Sequence, residues 1–335
     1  MNNKFLLIPF LFCSFYHLSA QNIYPTLGKI TRNDVALDEI LDKDAKIEVL
    51  ASGFDWSEGP VWLKDGKYLL FSDVPRNQIL KWKEEEGISI WLQPSGYTGA
   101  GKYSNEPGSN GLTLNNKGEL ILCEHGDRRI SVMPLNGGGK RTLADNYMGL
   151  RFNSPNDAVV SSKGIIYFTD PPYGLPKQEN DRSRESKVFG VYKISTDGKV
   201  SLIVSDLIRP NGIALSPDEK VLYVAQSDSK SAVIMSYPIS EDGNIGKGKI
   251  FFDTTPWTKD LRGVPDGLRV DKKGNVFATG PGGINIFSPA GKWLGRIFTG
   301  LATSNCAFGD DGSTLYITAD MYLCRIKTKT IGIGF

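Results

Sequence analysis

Six segments of the chain share one pattern, and this repeat constrains the fold more than any other feature. Each begins with Ser or Pro, continues with a side chain that carries a carboxylate or amide oxygen, and leads into a short run of alternating apolar residues. The six segments are 57–62, 109–114, 155–160, 210–215, 265–270 and 304–308. A turn of Gly, Asn, Asp or Lys and a second apolar run follow each one, so every segment predicts a β-hairpin.

Further apolar runs complete most of these units. Third strands are predicted at 79–82, 190–193 and 284–287, and fourth strands at 88–92, 201–204 and 249–252. Four short antiparallel strands repeated six times predict an all-β fold, a six-bladed β-propeller. The sixth unit lacks a clear fourth strand, whereas residues 46–50 have the pattern of one. We therefore expect this N-terminal strand to close the last blade and remove the free edges of the ring.

The first twenty residues have the pattern of a cleavable signal peptide. A lone Lys4 precedes an apolar run at 5–16, and small residues end at Ala20. The run is too short to span a membrane, so we expect cleavage after residue 20, with the rest, 21–335, as a single propeller domain in the periplasm or outside the cell.

Charge and cysteine content exclude several other classes of protein. Lysine and arginine number 39 against 37 acidic residues, so no broad positive surface is expected to attract nucleic acid. Beyond the signal peptide the cysteines are Cys123, Cys306 and Cys324, an odd number at wide spacing. This spacing gives no disulfide framework and favours buried thiols, while a Cys306–Cys324 bridge stays open as an alternative.

The oxygen-bearing position of the repeat predicts one ring of side chains, because the first strand of each propeller blade lines the central channel. The ring comprises Glu58, Asn110, Asn156, Asn211, Asp266 and Asn305. Asn and Asp alone could simply cap turns, but Glu58 does not fit that explanation. Two carboxylates among amide oxygens favour a hard cation, most readily Ca²⁺, with Mg²⁺, Mn²⁺ or Zn²⁺ as alternatives. Zinc is disfavoured because His125 is the single histidine after residue 20.

Four motifs at these positions resemble the gluconolactonase and regucalcin family of six-bladed propellers, in particular its secreted bacterial gluconolactonases. They are Ser-Glu-Gly-Pro-Val-Trp at 57–62, Asn-Ser-Pro-Asn-Asp at 153–157, Arg-Pro-Asn-Gly at 209–212 and Val-Pro-Asp-Gly-Leu at 264–268. The resemblance covers nearly the whole chain after the signal peptide. It implies hydrolysis of a small-molecule sugar lactone, one divalent metal bound by Glu58, Asn156, Asn211 and Asp266, and Asp266 as the proton acceptor.

Other polar residues are candidates for binding the substrate. His125 follows the second strand of the second unit and is either a structural histidine or one that faces the substrate; Tyr173 has the same place in the third unit. Arg151 precedes the third ring residue, and Asn110 and Asn305 are the ring members outside the implied ligand set. The chain lacks the Gly-x-Ser-x-Gly elbow of serine hydrolases, so a Ser-His-Asp triad would have to use His125.

Two other functions remain open at this stage. A metal-dependent esterase or lactonase with a non-sugar substrate would share the fold and the metal site, differing in the loops around the pocket. A non-catalytic propeller that binds a glycan or a protein has no need for two carboxylates around a cation, and Glu58 and Asp266 argue against it.

Overall fold

The computed structural model describes residues 24–241 and 243–335. The predicted signal peptide at 1–20 lies outside these residues. Six antiparallel sheets follow one another along the chain, and the innermost strand of each contacts the innermost strands of the next and previous sheets. The sixth contacts the first, which closes the ring and confirms the six-bladed propeller. No helix in the described residues is long and apolar enough to cross a membrane.

Each blade is a sheet of four strands, numbered here from the channel outwards. Blade 1 comprises Ser57–Leu63, Tyr68–Asp73, Gln78–Lys83 and Gly87–Leu92, and blade 2 comprises Ser109–Leu114, Leu120–Glu124, Arg129–Met133 and Arg141–Ala144. Blade 3 comprises Ala158–Val160, Ile166–Thr169, Val191–Ile194 and Val200–Val204, and blade 4 comprises Pro210–Leu215, Val221–Asp228, Ser231–Pro238 and Lys249–Asp253. Blade 5 begins with Leu268–Val270, Val276–Gly280, Gly283–Phe287 and Trp293–Phe298, and blade 6 begins with Thr303–Gly309, Thr314–Ala319 and Tyr322–Lys327.

The N-terminal segment completes two blades. Strand Ile47–Ser52 pairs antiparallel with Tyr322–Lys327, which confirms the predicted closure of the last blade. Thr26–Leu27 adds a short fifth strand to blade 6, and Lys29–Arg32 adds one to blade 5. The sequence did not predict these two additions, because strands of two to four residues carry little periodic signal.

The remaining regular elements are short. A hairpin of Asn146–Tyr147 and Leu150–Arg151 lies between blades 2 and 3. The 3₁₀ helices are Val35–Glu39, Gln178–Asn180 and Thr255–Lys259.

Apolar side chains fill the spaces between neighbouring blades. At the seam between the last and first blades, the rings of Trp62 and Tyr316 stack with centroids 5.2 Å apart, and Trp82 packs beside them. Burial of each large side chain contributes roughly 1.5–3 kcal/mol to folding. The ring is therefore closed by aromatic packing as well as by backbone pairing.

Buried polar side chains fix the segments that lead into the innermost strands. The Asp170 carboxylate accepts hydrogen bonds from the backbone N–H groups of Asn153 and Ser154, both at 2.8 Å. Asp73 accepts from the backbone N–H of Trp56 in blade 1 at 3.3 Å. Each carboxylate lies at the end of a second strand and holds the chain just before the oxygen-bearing residue of its own blade.

The three cysteines in the described residues are buried free thiols. Cys306 and Cys324 lie in the first and third strands of blade 6, separated by the strand that carries Ile317. Two strand spacings amount to roughly 9–10 Å, beyond the Cα separation that a disulfide bridges. The alternative of a Cys306–Cys324 bridge is therefore wrong.

Candidate metal centre

The six oxygen-bearing residues lie at one end of the central channel, at the start of the innermost strands. Five of them are buried, namely Glu58, Asn110, Asn156, Asn211 and Asn305, and Asp266 is partly exposed. Backbone hydrogen bonds join adjacent blades at this level, from Gly111 N–H to Asn156 O at 2.7 Å and from Gly212 N–H to Asp266 O at 3.2 Å. The repeat thus places one polar side chain per blade at the same height.

The glycine after the oxygen-bearing residue is explained by this close approach of the strands. A Cβ atom at Gly59 would lie 2.0 Å from the backbone oxygen of Asn110, and one at Gly212 would lie 2.1 Å from that of Asp266. Neither contact is possible without moving the backbone. The glycine lets neighbouring blades approach closely enough for their polar side chains to converge.

Several oxygen atoms of this ring have no hydrogen-bond donor. Oδ1 of Asn110, Oδ1 of Asn156 and Oδ1 of Asp266 are buried and unpartnered. The amide of Asn211 donates to Ser227 Oγ at 2.9 Å, which fixes its orientation. Buried acceptors without donors are costly, and a hard cation coordinated by oxygen would satisfy them.

Asn305 differs from the other amides of the ring. Its Oδ1 accepts from the Cys306 N–H at 2.9 Å, and its Nδ2 lies 3.4 Å from both Glu58 Oε2 and Asp157 Oδ2. The side chain therefore turns its N–H group, and not its oxygen, towards the carboxylates. Asn305 holds Glu58 in place, a role for which the repeat pattern gave no signal.

The carboxyl groups of the ring are electrostatically unsatisfied. Burial raises the pKa of Glu58 and of Asp266, and the negative charge of Glu58 raises that of Asp266 further. Buried Asp157 raises the pKa of both, and its own raised pKa is opposed by Arg269, whose guanidinium lies 3.6 Å away. A divalent cation between Glu58 and Asp266 would supply the missing positive charge.

The donor set matches Ca²⁺ better than a transition metal. The described residues contain no cluster of three or more His, Cys, Asp or Glu side chains that could hold a metal. A cation here would therefore rely on amide oxygens beside the carboxylates of Glu58 and Asp266, which is typical of hard cations. The assignment of Glu58, Asn156, Asn211 and Asp266 as ligands stays a prediction that this ring of oxygens supports.

His125 is buried beside the ring. Its Nδ1 lies 3.2 Å from the backbone oxygen of Glu106, and its Nε2 lies 3.5 Å from Asn156 Nδ2. Burial lowers the pKa of His125 to about 4, so the imidazole is neutral at pH 7. With Nδ1 donating to Glu106, Nε2 is an acceptor directed at Asn156. The hydrogen bonds of the imidazole in the described residues include no serine or cysteine, so no nucleophile is paired with it for a hydrolase triad.

Tyr173 and Arg151 occupy different environments. Burial and the nearby charge of Asp266 raise the pKa of Tyr173, and the Arg209 guanidinium lies 5.6 Å from its ring centroid. Tyr173 thus borders the metal centre. Arg151 is exposed on the hairpin between blades 2 and 3, and its guanidinium donates to the backbone oxygen of Asp127 at 3.0 Å. The structure gives Arg151 a contact with a loop and none with the ring.

Three charged residues near the ring were missed by the sequence pattern. Asp157 follows a ring residue inside a motif, and Arg269 lies within an innermost strand, so both were interpreted as part of the scaffold. Glu106 lies in the loop between blades 1 and 2, outside the repeat, and its charge raises the pKa of Glu58, Asp266 and Tyr173. No sequence signal marked Glu106, because loops vary independently of the repeated strands.

Comparison with known proteins agrees with the fold and the motifs. The family model described as "SMP-30/Gluconolactonase/LRE-like region" matches residues 56–320. A gluconolactonase from Zymomonas mobilis is 45% identical over 92% of this chain and 88% of its own length. The structure of a gluconolactonase from Xanthomonas campestris matches with a TM-score of 0.78 at 29% identity, covering 93% of this chain and all of that one.

A more distant structural match shares the fold alone. The calcium-binding protein regucalcin from Agrobacterium tumefaciens superposes with a TM-score of 0.66 at 19% identity, over 84% of this chain and 94% of that one. The repeat, the ring of oxygens, the family model and the Zymomonas relative all agree. The chain belongs to the SMP-30/gluconolactonase/LRE-like family.

Proposed function

We propose that this protein is a divalent-metal-dependent lactonase that opens sugar lactones, with Ca²⁺ as its metal. One observation carries the proposal: the ring of oxygen side chains leaves buried acceptors on Asn156 and Asp266 without donors, in a chain 45% identical to a gluconolactonase. The family resemblance supplies the reaction, and the unsatisfied oxygens supply the reason for a cation.

Glu58, Asn156, Asn211 and Asp266 are the proposed ligands. When bound there, a divalent cation polarises the lactone carbonyl as a Lewis acid and stabilises the developing oxyanion. Asn305 keeps Glu58 oriented through the 3.4 Å contact between its Nδ2 and the carboxylate. The carboxylates of Glu58 and Asp266 are fixed before the substrate arrives, so little reorganisation is needed during the reaction.

The residues around the ring suit a polyhydroxylated substrate. Neutral His125 presents a hydrogen-bond acceptor at Nε2, and the Tyr173 hydroxyl remains protonated at neutral pH because its pKa is raised. Together with the unpartnered Asn110 oxygen, these groups can hydrogen-bond the hydroxyls of a sugar lactone. His125, Asn110 and Tyr173 are therefore kept as proposed substrate contacts, whereas Arg151 and Asn305 have other partners.

The test is hydrolysis of glucono-δ-lactone followed by proton release in weak buffer. We expect turnover well above the spontaneous rate, loss of that turnover in excess chelator, and recovery on adding Ca²⁺. Full activity in chelator would contradict the metal dependence. Activity on aryl esters with none on sugar lactones would favour the esterase alternative, and no turnover of either, with Ca²⁺ bound, would favour a binding propeller.

We also propose that the enzyme works in the periplasm or outside the cell. The pattern at 1–20 supports this location. Mass spectrometry of the protein recovered from the native cell envelope or medium should find Gln21 as the N-terminal residue. An N-terminus that retains residues 1–20 would contradict the proposal.

A further inference from the structure

The loop between blades 1 and 2, residues 93–108, is anchored at both ends. Asn77 Oδ1 accepts from the backbone N–H groups of Ser95 at 3.0 Å, Gly96 at 2.8 Å and Tyr97 at 3.1 Å. Near the other end, the Gly108 N–H donates to Val74 O at 3.0 Å. Side chain and backbone of blade 1 thus hold the loop in one conformation beside the channel.

Glu106 lies where this loop meets the second blade. Its backbone oxygen contacts His125 Nδ1 at 3.2 Å, and the next two residues accept from blade 2, Pro107 O from Gly126 N–H at 3.1 Å and Gly108 O from His125 N–H at 3.2 Å. Pro107 also restricts the backbone of Glu106 to extended conformations. The position of Glu106 is therefore set by three consecutive contacts, as a catalytic side chain requires.

The Glu106 carboxylate itself has no strong partner. Its Oε2 lies 4.0 Å from His125 Nδ1, and His125 is neutral. About a third of the side chain is exposed, so water reaches it. Burial of the remainder raises the pKa of Glu106 to about 7, with no hydrogen bond or cation to offset that effect. An acidic side chain that is held by its backbone and left without a partner at its carboxylate is arranged to act on a bound molecule.

Glu106 faces the same space as the metal centre. Its negative charge raises the pKa of Glu58, of Asp266 and of the Tyr173 hydroxyl, and its carboxylate is beside His125. These are the titratable groups from blades 1, 2, 3 and 5 around it. Asp266, as a metal ligand, would share its electrons with the cation and would be a weak base. Glu106 is a carboxylate at the same site with no such commitment.

We propose that Glu106, and not Asp266, is the catalytic residue that transfers the proton during lactone opening, an inference that rests on the proposed function. The oxygen of a water molecule forms a bond to the lactone carbonyl carbon while Glu106 takes a proton from that water. The bond between this carbon and the ring oxygen then breaks, and Glu106 returns the proton to the ring oxygen as it becomes a hydroxyl. The product is a hydroxy acid, whose carboxyl releases its proton to solvent.

Glu106→Gln tests this role, with Glu85→Gln at an exposed turn of blade 1 as the matched control. We expect kcat on glucono-δ-lactone to fall by about 10²-fold in Glu106→Gln. KM should change less than about threefold, and the Ca²⁺ affinity by calorimetry should match that of the wild type. The rising limb of kcat with pH, near pH 7 in the wild type, should disappear in Glu106→Gln and persist in Glu85→Gln.

Chemical rescue provides a second readout that a purely structural role would not produce. Glu106→Ala should be as slow as Glu106→Gln, and added formate should restore part of its kcat. A Glu106→Gln variant within about threefold of wild-type kcat, with an unchanged pH profile, would overturn the proposal in favour of Asp266. A loss expressed in KM alone, or no formate rescue in a folded variant, would overturn it too. A wild-type enzyme that binds Ca²⁺ without opening lactones would instead contradict the proposed function.

Discussion

The two ends of the central channel are built by the same six strands and differ completely in chemistry. Each innermost strand starts at an oxygen-bearing side chain and ends among hydrocarbon. At the far end a cavity of about 980 Å³ is lined mainly by apolar residues, among them Leu63, Leu114, Val160, Leu215 and Val270. The near end holds the unpartnered oxygens and the carboxyl groups with raised pKa.

This difference shows that cavity size does not locate the chemistry of a propeller. The large apolar cavity would be the usual first choice for a ligand site. Among the charged groups that line it, Arg269 alone reaches inward, and its guanidinium is paired with Asp157 at 3.6 Å. The polar end, by contrast, has buried charge without compensation, which is typical of a functional site. The apolar end contributes packing, and the polar end contributes the reaction.

The largest expected effect comes from removing one charge at the polar end. Glu58→Gln and Asp266→Asn each remove one of the two carboxylates proposed to hold the cation, while keeping the size of the side chain. We expect Ca²⁺ affinity to fall by at least about 100-fold and lactone turnover by about 10³-fold, because both binding and charge stabilisation are lost. Elemental analysis and proton-release assays measure the two quantities.

The fold should survive both substitutions. Circular dichroism and the unfolding temperature of the metal-free variants should match or exceed those of the metal-free wild type, since each change removes a buried charge. Unchanged metal content in both variants would exclude this metal site.

Arg269→Met breaks the contact between the two ends. The buried Asp157 carboxylate would lose its cationic partner, so we expect a loss of about 3 kcal/mol in the free energy of unfolding. Ca²⁺ affinity should stay equal or rise, because a positive charge near the site has gone. Adding Asp157→Asn should recover much of the stability, and a double-mutant cycle in urea measures the coupling. Purely additive effects would show that the pair does not act as a unit.

A single strand allows the two ends to be compared directly. Pro210–Leu215 starts beside the metal centre with Asn211 and ends at the apolar cavity with Leu215. Leu215→Ala should cost about 2 kcal/mol of unfolding free energy and leave Ca²⁺ affinity unchanged. Asn211→Ala should weaken Ca²⁺ binding by about tenfold and cost about 1 kcal/mol, for the lost bond to Ser227. Weaker metal binding in Leu215→Ala would contradict the separation of the two ends.

The sequence predicted the parts of the site that the repeat encodes. The six ring positions and the closing strand follow from a pattern that recurs in every blade, because strand pairing and close packing repeat with it. Glu106 lies in a loop that occurs once, and its position depends on Asn77 and His125, which are distant in sequence. The orientation of Asn305 depends on the charges of Glu58 and Asp157, from other blades. Such contacts between single residues leave no periodic signal.

The smallest expected effect is a dependence of stability on pH that belongs to the polar end alone. In the metal-free protein the pKa values of Glu58 and Asp266 are raised above their usual range near 4. The folded state then binds their protons more tightly than the unfolded state. Stability from these groups is therefore full below about pH 4 and is lost as the pH rises towards the raised pKa values.

Between pH 5 and pH 8 we expect the metal-free protein to lose on the order of 1 kcal/mol of unfolding free energy for this reason. Saturating Ca²⁺ should flatten the dependence, because it stabilises the ionised carboxylates, and Glu58→Gln should flatten it without metal. Leu215→Ala lies at the apolar end and should keep the wild-type slope at a lower overall stability. Urea titrations at several pH values measure all four cases. A metal-free wild type whose stability rises with pH across this window would show that Glu58 and Asp266 are already compensated within the protein, and would remove the electrostatic reason for a cation at the polar end.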